Sequence, residues 1–324
     1  MPIGATSWAY GTTLAMPTFL SDQLIGLLLH IRYHVFARQQ AKNECLYLNY
    51  PDDSVSTSAH TRRGRLIPRD NLPLQDANKI RLVLVSDTHD KHNLLGALPK
   101  CDVFIHSGDV LMTSRQFTVS NIMKKLDRFN RWLGTIDAKT LVVVAGNHDK
   151  GLERLDSDDV MSVLRNTTHY ACNSCFIIGD DLSVFGSPAS DGNSLNRAFQ
   201  SDEFIGRTRR DAPDRCTVLL LHGPCSIDAK PKIRIFGHHH SSYGIYLTGD
   251  SIRDSVVSEG LTICSSSMDD SYRMSHAPIV VDIPRKECDI PYTLPVQEND
   301  ILITHSSSRG SVGKRSSKVY IAND

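Results

Sequence analysis

The chain carries no excess of either charge: across 324 residues, 36 Lys and Arg face 36 Asp and Glu. No global field recruits a polyanion, so stable nucleic-acid binding is not expected. Long apolar runs are also missing. The stretch LIGLLL at 24–29, bracketed by Asp22 and Arg32, is far too short to span a bilayer, and no transmembrane segment is expected. No basic segment precedes an apolar core at the amino terminus, which excludes a signal peptide from the reading. The eight cysteines lack the spacing of a disulfide framework. That pattern suits reduced thiols and a cytoplasmic setting. Cys172-x-x-Cys175 has no second matching pair and reads as coincidence, not as half a zinc knuckle. What is present, 22% charged and 40% hydrophobic residues, is the balance of an ordinary globule.

Against that plain background stand five short polar blocks. They are Asp87-Thr88-His89, Gly108-Asp109, Gly146-Asn147-His148-Asp149, His222-Gly223-Pro224 and Gly237-His238-His239-His240. Four follow the apolar runs LVLVS, DVFIHS, LVVVA and VLLL, and the fifth follows the shorter IRIF. Such runs read as central strands of a covered sheet, with the polar residues on loops at their carboxyl ends. Open α/β sheets place ligand sites at that edge. A single D-x-H or G-D pair would mean little; an ordered series of five carries the argument.

The residue types suit two cations held close together. Cations about 3.5–4 Å apart clamp both oxygens of an in-line displacement at phosphorus, and to sit that close they need a shared anionic ligand. A carboxylate can bridge, while imidazoles and a carboxamide fill each shell without adding charge. In extended backbone Asp87 and His89 would point to one side, as would His238 and His240, with His239 turned away. Asn147 offers a neutral oxygen that suits Mn, Mg, Fe or Zn, and no cysteine lies among the candidates, which argues against a structural zinc site.

With their spacing, these blocks resemble the pattern D-x-H, G-D, G-N-H-[DE], H, G-H-x-H of the calcineurin-like metallophosphoesterase superfamily, over residues 80–283. Three stretches are most similar to the brain-expressed metallophosphoesterase-domain proteins: SDTH with IHSGD, residues 128–149, and ICSSSMDDSYRMSHAPIVVDIP. The resemblance implies a four-layer αββα sandwich and a phosphoric ester hydrolase with two divalent metal ions, Mn first and Fe, Zn or Mg as alternatives. One ion would be held by Asp87, His89, Asp109 and His240, the other by Asp109, Asn147, His222 and His238, with Asp109 bridging. A hydroxide between the metals would attack phosphorus. His148 matches the family's general acid or transition-state stabiliser, and Asp149 an orienter of the neighbouring loop or of the imidazole. Protein Ser/Thr phosphatases extend the second block to G-D-x-x-D-R-G; here it runs Gly108-Asp109-Val110-Leu111-Met112-Thr113-Ser114, so the acid partner and phosphate-gripping arginine are missing. Small phosphodiesters are therefore expected above phosphoproteins. A poorly active metal-bound scaffold or signalling protein and a nuclease are the competing readings. Cys225 and His239 depart from common family letters at positions that should not touch metal.

The remaining features read more plainly. His106 is expected as a hydrogen-bonded core residue near the ligands, His92, His169 and His276 as surface or loop histidines, and Trp132 as packing. Ile122, Leu126, Phe129 and Leu133 have the period of a buried helical face. The basic cluster Arg207 to Arg210 reads as a solvated loop, with lining of the substrate cleft as the sharper alternative; Arg62 to Arg65 and the segment from Arg309 to Lys318 read as solvated too. Three regions are expected: an N-terminal extension, 1–78, with an amphipathic helix over 21–40 that docks on the domain or a protein partner and a linker from Pro51; the catalytic domain, 79–285; and a polar tail, 286–324.

Overall fold

The computed structural model describes residues 42–50, 63–112, 118–179, 182–192, 194, 196–247, 251–252, 255–256 and 260–285. The helix expected over 21–40, much of the linker and the tail from 286 lie outside the described residues. In chain order the strands are β1 (Glu44–Asn49), β2 (Arg65–Pro68), β3 (Lys79–Val85), β4 (Cys101–Ser107), β5 (Ala138–Val144), β6 (His169–Tyr170), β7 (Ser174–Ile178), β8 (Leu182–Ser187), β9 (Arg215–Leu221), β10 (Lys230–Phe236), β11 (Gly244–Leu247), β12 (Ser251–Ile252), β13 (Ser255–Val256), β14 (Leu261–Cys264) and β15 (Ile279–Pro284). Among the described residues these α-helices accompany them: α1 (Val119–Leu133), α2 (Ser157–Val163) and α3 (Asp202–Asp211). Among the described residues no helix is long and apolar enough to cross a membrane.

The apolar runs become the centres of two sheets. The first has the order β2-β1-β15-β3-β4-β5-β6 and the second β11-β14-β10-β9-β8-β7. Strands β3, β4, β5 and β6 are mutually parallel, as are β8, β9, β10 and β14. Because both faces of these strands are covered, their side chains are apolar on both sides, and alternation sorts them into two cores. Leu82, Leu84, Val103, Ile105, Val142 and Val144 meet Val184, Val218, Leu220, Ile233, Ile235 and Ile263 between the sheets. The alternate residues Val83, Val85, Phe104 and Val143 share an outer core with Ile122, Leu126 and Phe129 of α1, and Phe185, Leu219 and Leu221 share it with Phe204 and Ile205 of α3. Helix, sheet, sheet, helix is the four-layer αββα sandwich.

The expected helical face is buried with the expected residues, and Thr118 caps α1 by accepting from the Asn121 amide at 3.3 Å. Trp132 packs against Phe104 and Phe129. β7 and β8 pair as an antiparallel hairpin. Several elements differ from expectation. Arg207 to Arg210 lie on α3, not in a loop; a narrow apolar face of Phe204, Ile205 and Thr208 is what docks that strongly charged helix. His92 is buried, with ring centroids 5.3 Å from Phe129 and 5.1 Å from Trp132, instead of on the surface. His169 lies on β6 and stacks on Phe176, and His276 stacks on Tyr243. Within the region read as an extension, β1 pairs with β15 and β2 with β1, so these strands complete the edge of the first sheet. A buried pair fastens that edge: Arg81 donates to both carboxylate oxygens of Asp282 at 2.7 and 2.6 Å, and Tyr47 Oη donates to the same carboxylate at 3.0 Å.

Candidate metal centre

Each polar block sits where a central strand runs out. β3 ends before Ser86-Asp87, β4 before Gly108-Asp109, β5 before Gly146-Asn147-His148, β9 before His222 and β10 before Gly237-His238. The convergence of side chains is not the simple alternation expected of extended backbone. Asp87, His89, Asp109 and His238 adopt φ of 53°, 43°, 53° and 60°. Left-handed backbone costs a non-glycine residue roughly 1–2 kcal/mol, and it persists where surrounding structure over-determines it. Here the constraint is a seam of main-chain bonds: Asp87 N to Gly108 O at 2.9 Å, His89 N to Asp109 O at 3.0 Å and Asp90 N to Val110 O at 2.9 Å. The glycines of the blocks permit close approach. Gly108 has φ 104°, and a Cβ there would collide with the His222 ring; a Cβ on Gly146 would collide with Asp109 Oδ1.

Seven buried or half-buried side chains meet across the ends of the two sheets. Ligand-type atoms of Asp87, His89 and His240 lie within 4.8 Å of one another, as do those of Asp109, His222 and His238. Asn147 joins the second group, its Oδ1 standing 2.9 Å from both His222 Nε2 and His238 Nδ1. Asp109 stands between the groups: Oδ1 is 3.4 Å from His222 Nε2, and Oδ2 is 3.7 Å from His89 Nε2. The rings are aimed from behind. His222 Nδ1 pairs with Ser107 O at 2.9 Å and His240 Nδ1 with Asp269 O at 2.9 Å, which leaves each Nε2 facing the cluster. Asn147 Nδ2 donates to Ser194 Oγ and Asn196 O, turning its carbonyl oxygen inward. Both ring nitrogens of His89 are buried without a hydrogen-bond partner. Unlike His92, whose bare nitrogens lie among Phe129 and Trp132, His89 sits beside Asp109 and other imidazoles, and N and O donors so gathered fit borderline or hard divalent cations.

The electrostatics are those of anionic groups inside a ring of imidazoles. Burial alone would raise the Asp87 carboxyl, but its hydrogen bond and attraction to His240, then His222 and His89, carry it below the usual carboxylate range. Asp109 moves the same way because His222 and His89 outweigh burial. Burial pushes His89 down to about 4 and His238 to about 3, so both are neutral and free to donate lone pairs at neutral pH. His222 moves the other way, up to about 9, because Asp109 outweighs burial.

His148 also comes within the same 4.8 Å of His89 and Asp109 through its ligand-type atoms, whereas Asp149 belongs to none of these groups. The His148 amide donates to Asp109 Oδ1 at 2.8 Å, while its ring lies beside the first group, 4.7 Å from His89 between centroids. Asn196 Nδ2 stands 3.2 Å from His148 Nδ1. Asp149 is fully buried and accepts from the amides of Leu111 at 2.8 Å, Val110 at 3.1 Å and Gly146 at 2.8 Å, tying the loop after β4 to the loop after β5. His106 pairs with Thr88 Oγ1 at 2.9 Å inside the core, as expected of it. Neither Cys225 nor His239 belongs to either ligand group. Cys172 and Cys175 are not joined in a disulfide. Sequence reasoning assigned no role to Ser194, Asn196, Asp269 or Tyr272, although the last two lie within the stretch ICSSSMDDSYRMSHAPIVVDIP. Beside the second group lies a cavity of about 430 Å³ lined by Ser190, Asp191, Gly192, Arg197, Gln200, Asp202, Ile205 and Arg209.

A family model described as calcineurin-like phosphoesterase matches residues 80–264. A UPF0046 protein of Caenorhabditis elegans is 28% identical over 248 residues, covering 64% of this chain and 82% of that protein. Metallophosphoesterase domain-containing protein 1 of Homo sapiens is 24% identical over 315 residues, 78% of this chain and 89% of its own length. A crystal structure of a Thermus thermophilus protein superposes with a TM-score of 0.34 at 8% identity, covering 57% of this chain and 88% of that one.

Proposed function

Because this chain belongs to the calcineurin-like phosphoesterase family and is accordingly a metal-dependent phosphoesterase, we propose that it holds two divalent cations and hydrolyses small phosphodiesters. The observation that carries the dinuclear reading is the placement of Asp109, one carboxylate oxygen toward each ligand group. Asp87, His89, Asp109 and His240 would hold one cation; Asp109, Asn147, His222 and His238 would hold the other. Donors that are all N and O, without cysteine, suit Mn, the ion proposed first, and equally Fe, Zn or Mg. When bound, such a pair supplies Lewis acidity and activates water.

The residues of the chain do the rest. His148, outside both proposed ligand sets, would give a proton to the departing ester oxygen, a role supported by its ring lying 4.7 Å from that of His89. Asp149 keeps the Asp109 and Asn147 loops in register by binding the amides of Val110, Leu111 and Gly146. The preference for diesters rests on the second block, whose sequence has Met112 and Thr113 at the positions of the phosphatase acid and arginine. A dianionic monoester loses more from that absence than a diester with one negative charge fewer. Gly192 brings the neighbouring cavity to His238, and a volume of about 430 Å³ suits the alcohol portion of a small ester, with Arg197 and Arg209 on its wall.

The test is a panel of 2′,3′- and 3′,5′-cyclic nucleotides, aryl diesters, aryl monoesters, a phosphopeptide and single-stranded DNA, run with added Mn²⁺ alongside metal analysis. Diesters should turn over fastest. Faster monoester or phosphopeptide cleavage would remove the diester preference, and a protein that binds no metal and cleaves nothing would end the enzymatic reading.

A further inference from the structure

The geometry points to Tyr272 as a positioning residue for His148. The inference rests on the reading of His148 as the proton donor. Tyr272 is only partly covered, 36% exposed, yet its ring faces three imidazoles: His89 at 5.0 Å, His240 at 5.2 Å and His148 at 5.7 Å between centroids. Its hydroxyl lies 3.2 Å from His148 Nε2. Aromatic contact alone would be served by phenylalanine; the hydroxyl aimed at one ring nitrogen is the informative atom.

The loop that presents it is built for the purpose. A bridge between Met268 and Met274 closes its neck. Inside, the Asp269 carboxylate accepts from Ser271 N at 2.9 Å, Arg273 N at 3.1 Å, Arg273 Nε at 2.7 Å and Ser275 Oγ at 2.9 Å. Tyr272 itself sits at φ 55°, held by its amide to Asp269 O at 2.8 Å and by Lys91 Nζ donating to its carbonyl at 2.8 Å. A tyrosine kept in left-handed backbone by several independent bonds is over-determined, and such residues cluster at functional sites. The Asp269 carbonyl also receives His240 Nδ1 at 2.9 Å, so the loop is registered directly against a ligand imidazole. Tyr272 therefore arrives at a fixed height above the first group, its hydroxyl 3.2 Å from His148 Nε2, an atom that Asn196 Nδ2 also approaches to 3.3 Å while standing 3.2 Å from Nδ1.

A hydroxyl can donate to a bare ring nitrogen and, by rotating, accept from a protonated one. At 3.2 Å from Nε2, the Tyr272 hydroxyl can thus fix the orientation of the His148 ring whichever of the two atoms donates. Losing one such bond is worth about a tenfold change.

Tyr272→Phe, Y272F, keeps the ring and removes the hydroxyl. In metal-loaded protein the metal content and KM should stay level, while kcat for diesters with poor leaving groups falls about tenfold and that for good leaving groups changes little. In a His148→Ala background the same change should add nothing. In metal-free protein labelled with ¹⁵N histidine, the His148 Nε2 resonance should shift in Y272F. An unmoved resonance overturns the proposal without reference to activity, as does a Y272F loss that is equal with and without His148. A flat leaving-group response in His148→Ala alone would instead sink the acid role of His148, and the spectrum would still decide the contact with Tyr272.

Discussion

Replacing Asp109 by Asn changes one atom of the centre and almost nothing of its shape. Its Oδ1 accepts the His148 amide at 2.8 Å, and that amide needs an acceptor, so the remaining carbonyl oxygen of Asn should stay on that side, toward His222 and Asn147. The new NH₂ then faces His89. The two ligand groups suffer unequally. Asp87 still brings a negative charge to the first, whereas the second is left with Asn147, His222 and His238, none of them anionic. A unit charge pair about 4 Å apart is worth roughly 4 kcal/mol at an effective dielectric near 20, and a dication is held more strongly, so affinity at the second group should fall by roughly 10³-fold or more. The first group should weaken less. Metal analysis after dialysis, with Mn²⁺ titration, should find D109N holding at most one cation under conditions where the parent holds two, with hydrolysis lower by roughly 10³ or more. Thermal unfolding of the metal-free proteins should show the fold intact, because Asn is isosteric and keeps the amide bond. Two cations retained with near-normal turnover would show that Asp109 does not bridge. Equal loss at both groups would refute the argument from Asp87.

Three further outcomes follow from the same geometry. His148→Ala should leave metal content unchanged and slow diesters with poor leaving groups by about 10²–10⁴, with smaller losses for good leaving groups, measured as kcat across an aryl series. Gly146→Ala would drive a methyl into Asp109 Oδ1, and Mn²⁺ affinity by titration should fall at least tenfold while circular dichroism stays native. His92→Phe tests an acid weakness of the core. Burial pushes His92 down to about 4, the Asp90 charge opposing, and neither ring nitrogen has a partner. Its folded value lies below the unfolded 6.5, so stability is lost as pH falls from 6.5 toward 4, by about 3 kcal/mol at the low end. Urea unfolding of metal-free protein should show His92→Phe gaining on the parent as pH drops through that window; a gain independent of pH would mean that His92 already titrates normally.

What could be read from the sequence follows the range of the interactions. The central strands announced themselves because a strand covered on both faces is apolar along its covered length, as in the runs LVLV of β3, VFI of β4, LVVV of β5 and VLLL of β9. The ligand letters were legible because charge and donor type are properties of single residues. β1 was not, because ECLYLN acquires its place only by pairing with β15, more than two hundred residues away, where Tyr47 meets Asp282. α3 was hidden by its arginines: two large apolar side chains on a ten-residue helix give little periodicity to set against that much charge. His92 illustrates the converse, a polar letter read as surface that tertiary packing has buried between Phe129 and Trp132.

The site divides along the same line. A metal ligand must be a particular kind of atom, so Asp87, His89, Asp109, Asn147, His222, His238 and His240 could be proposed from type and spacing. The groups that aim them need only offer a hydrogen-bond partner at the right place, and backbone carbonyls do so for His222 and His240, through Ser107 and Asp269. A main-chain carbonyl is the same in all twenty residues, so no alphabet of side chains records it. Left-handed turns add a second layer that letters do not carry: Asp87, His89, Asp109 and His238 converge because main-chain bonds between neighbouring loops impose φ near 50°, not because alternate residues of a strand face one way. The extended-backbone argument for Asp87 and His89 reached the right pairing by the wrong geometry. Function in this chain is thus written in two registers, one of side-chain chemistry that survives in the sequence and one of main-chain placement that only the folded molecule contains. Asp149 and Tyr272 belong to the second, since their side chains matter for the amides and the imidazole that the fold brings to them.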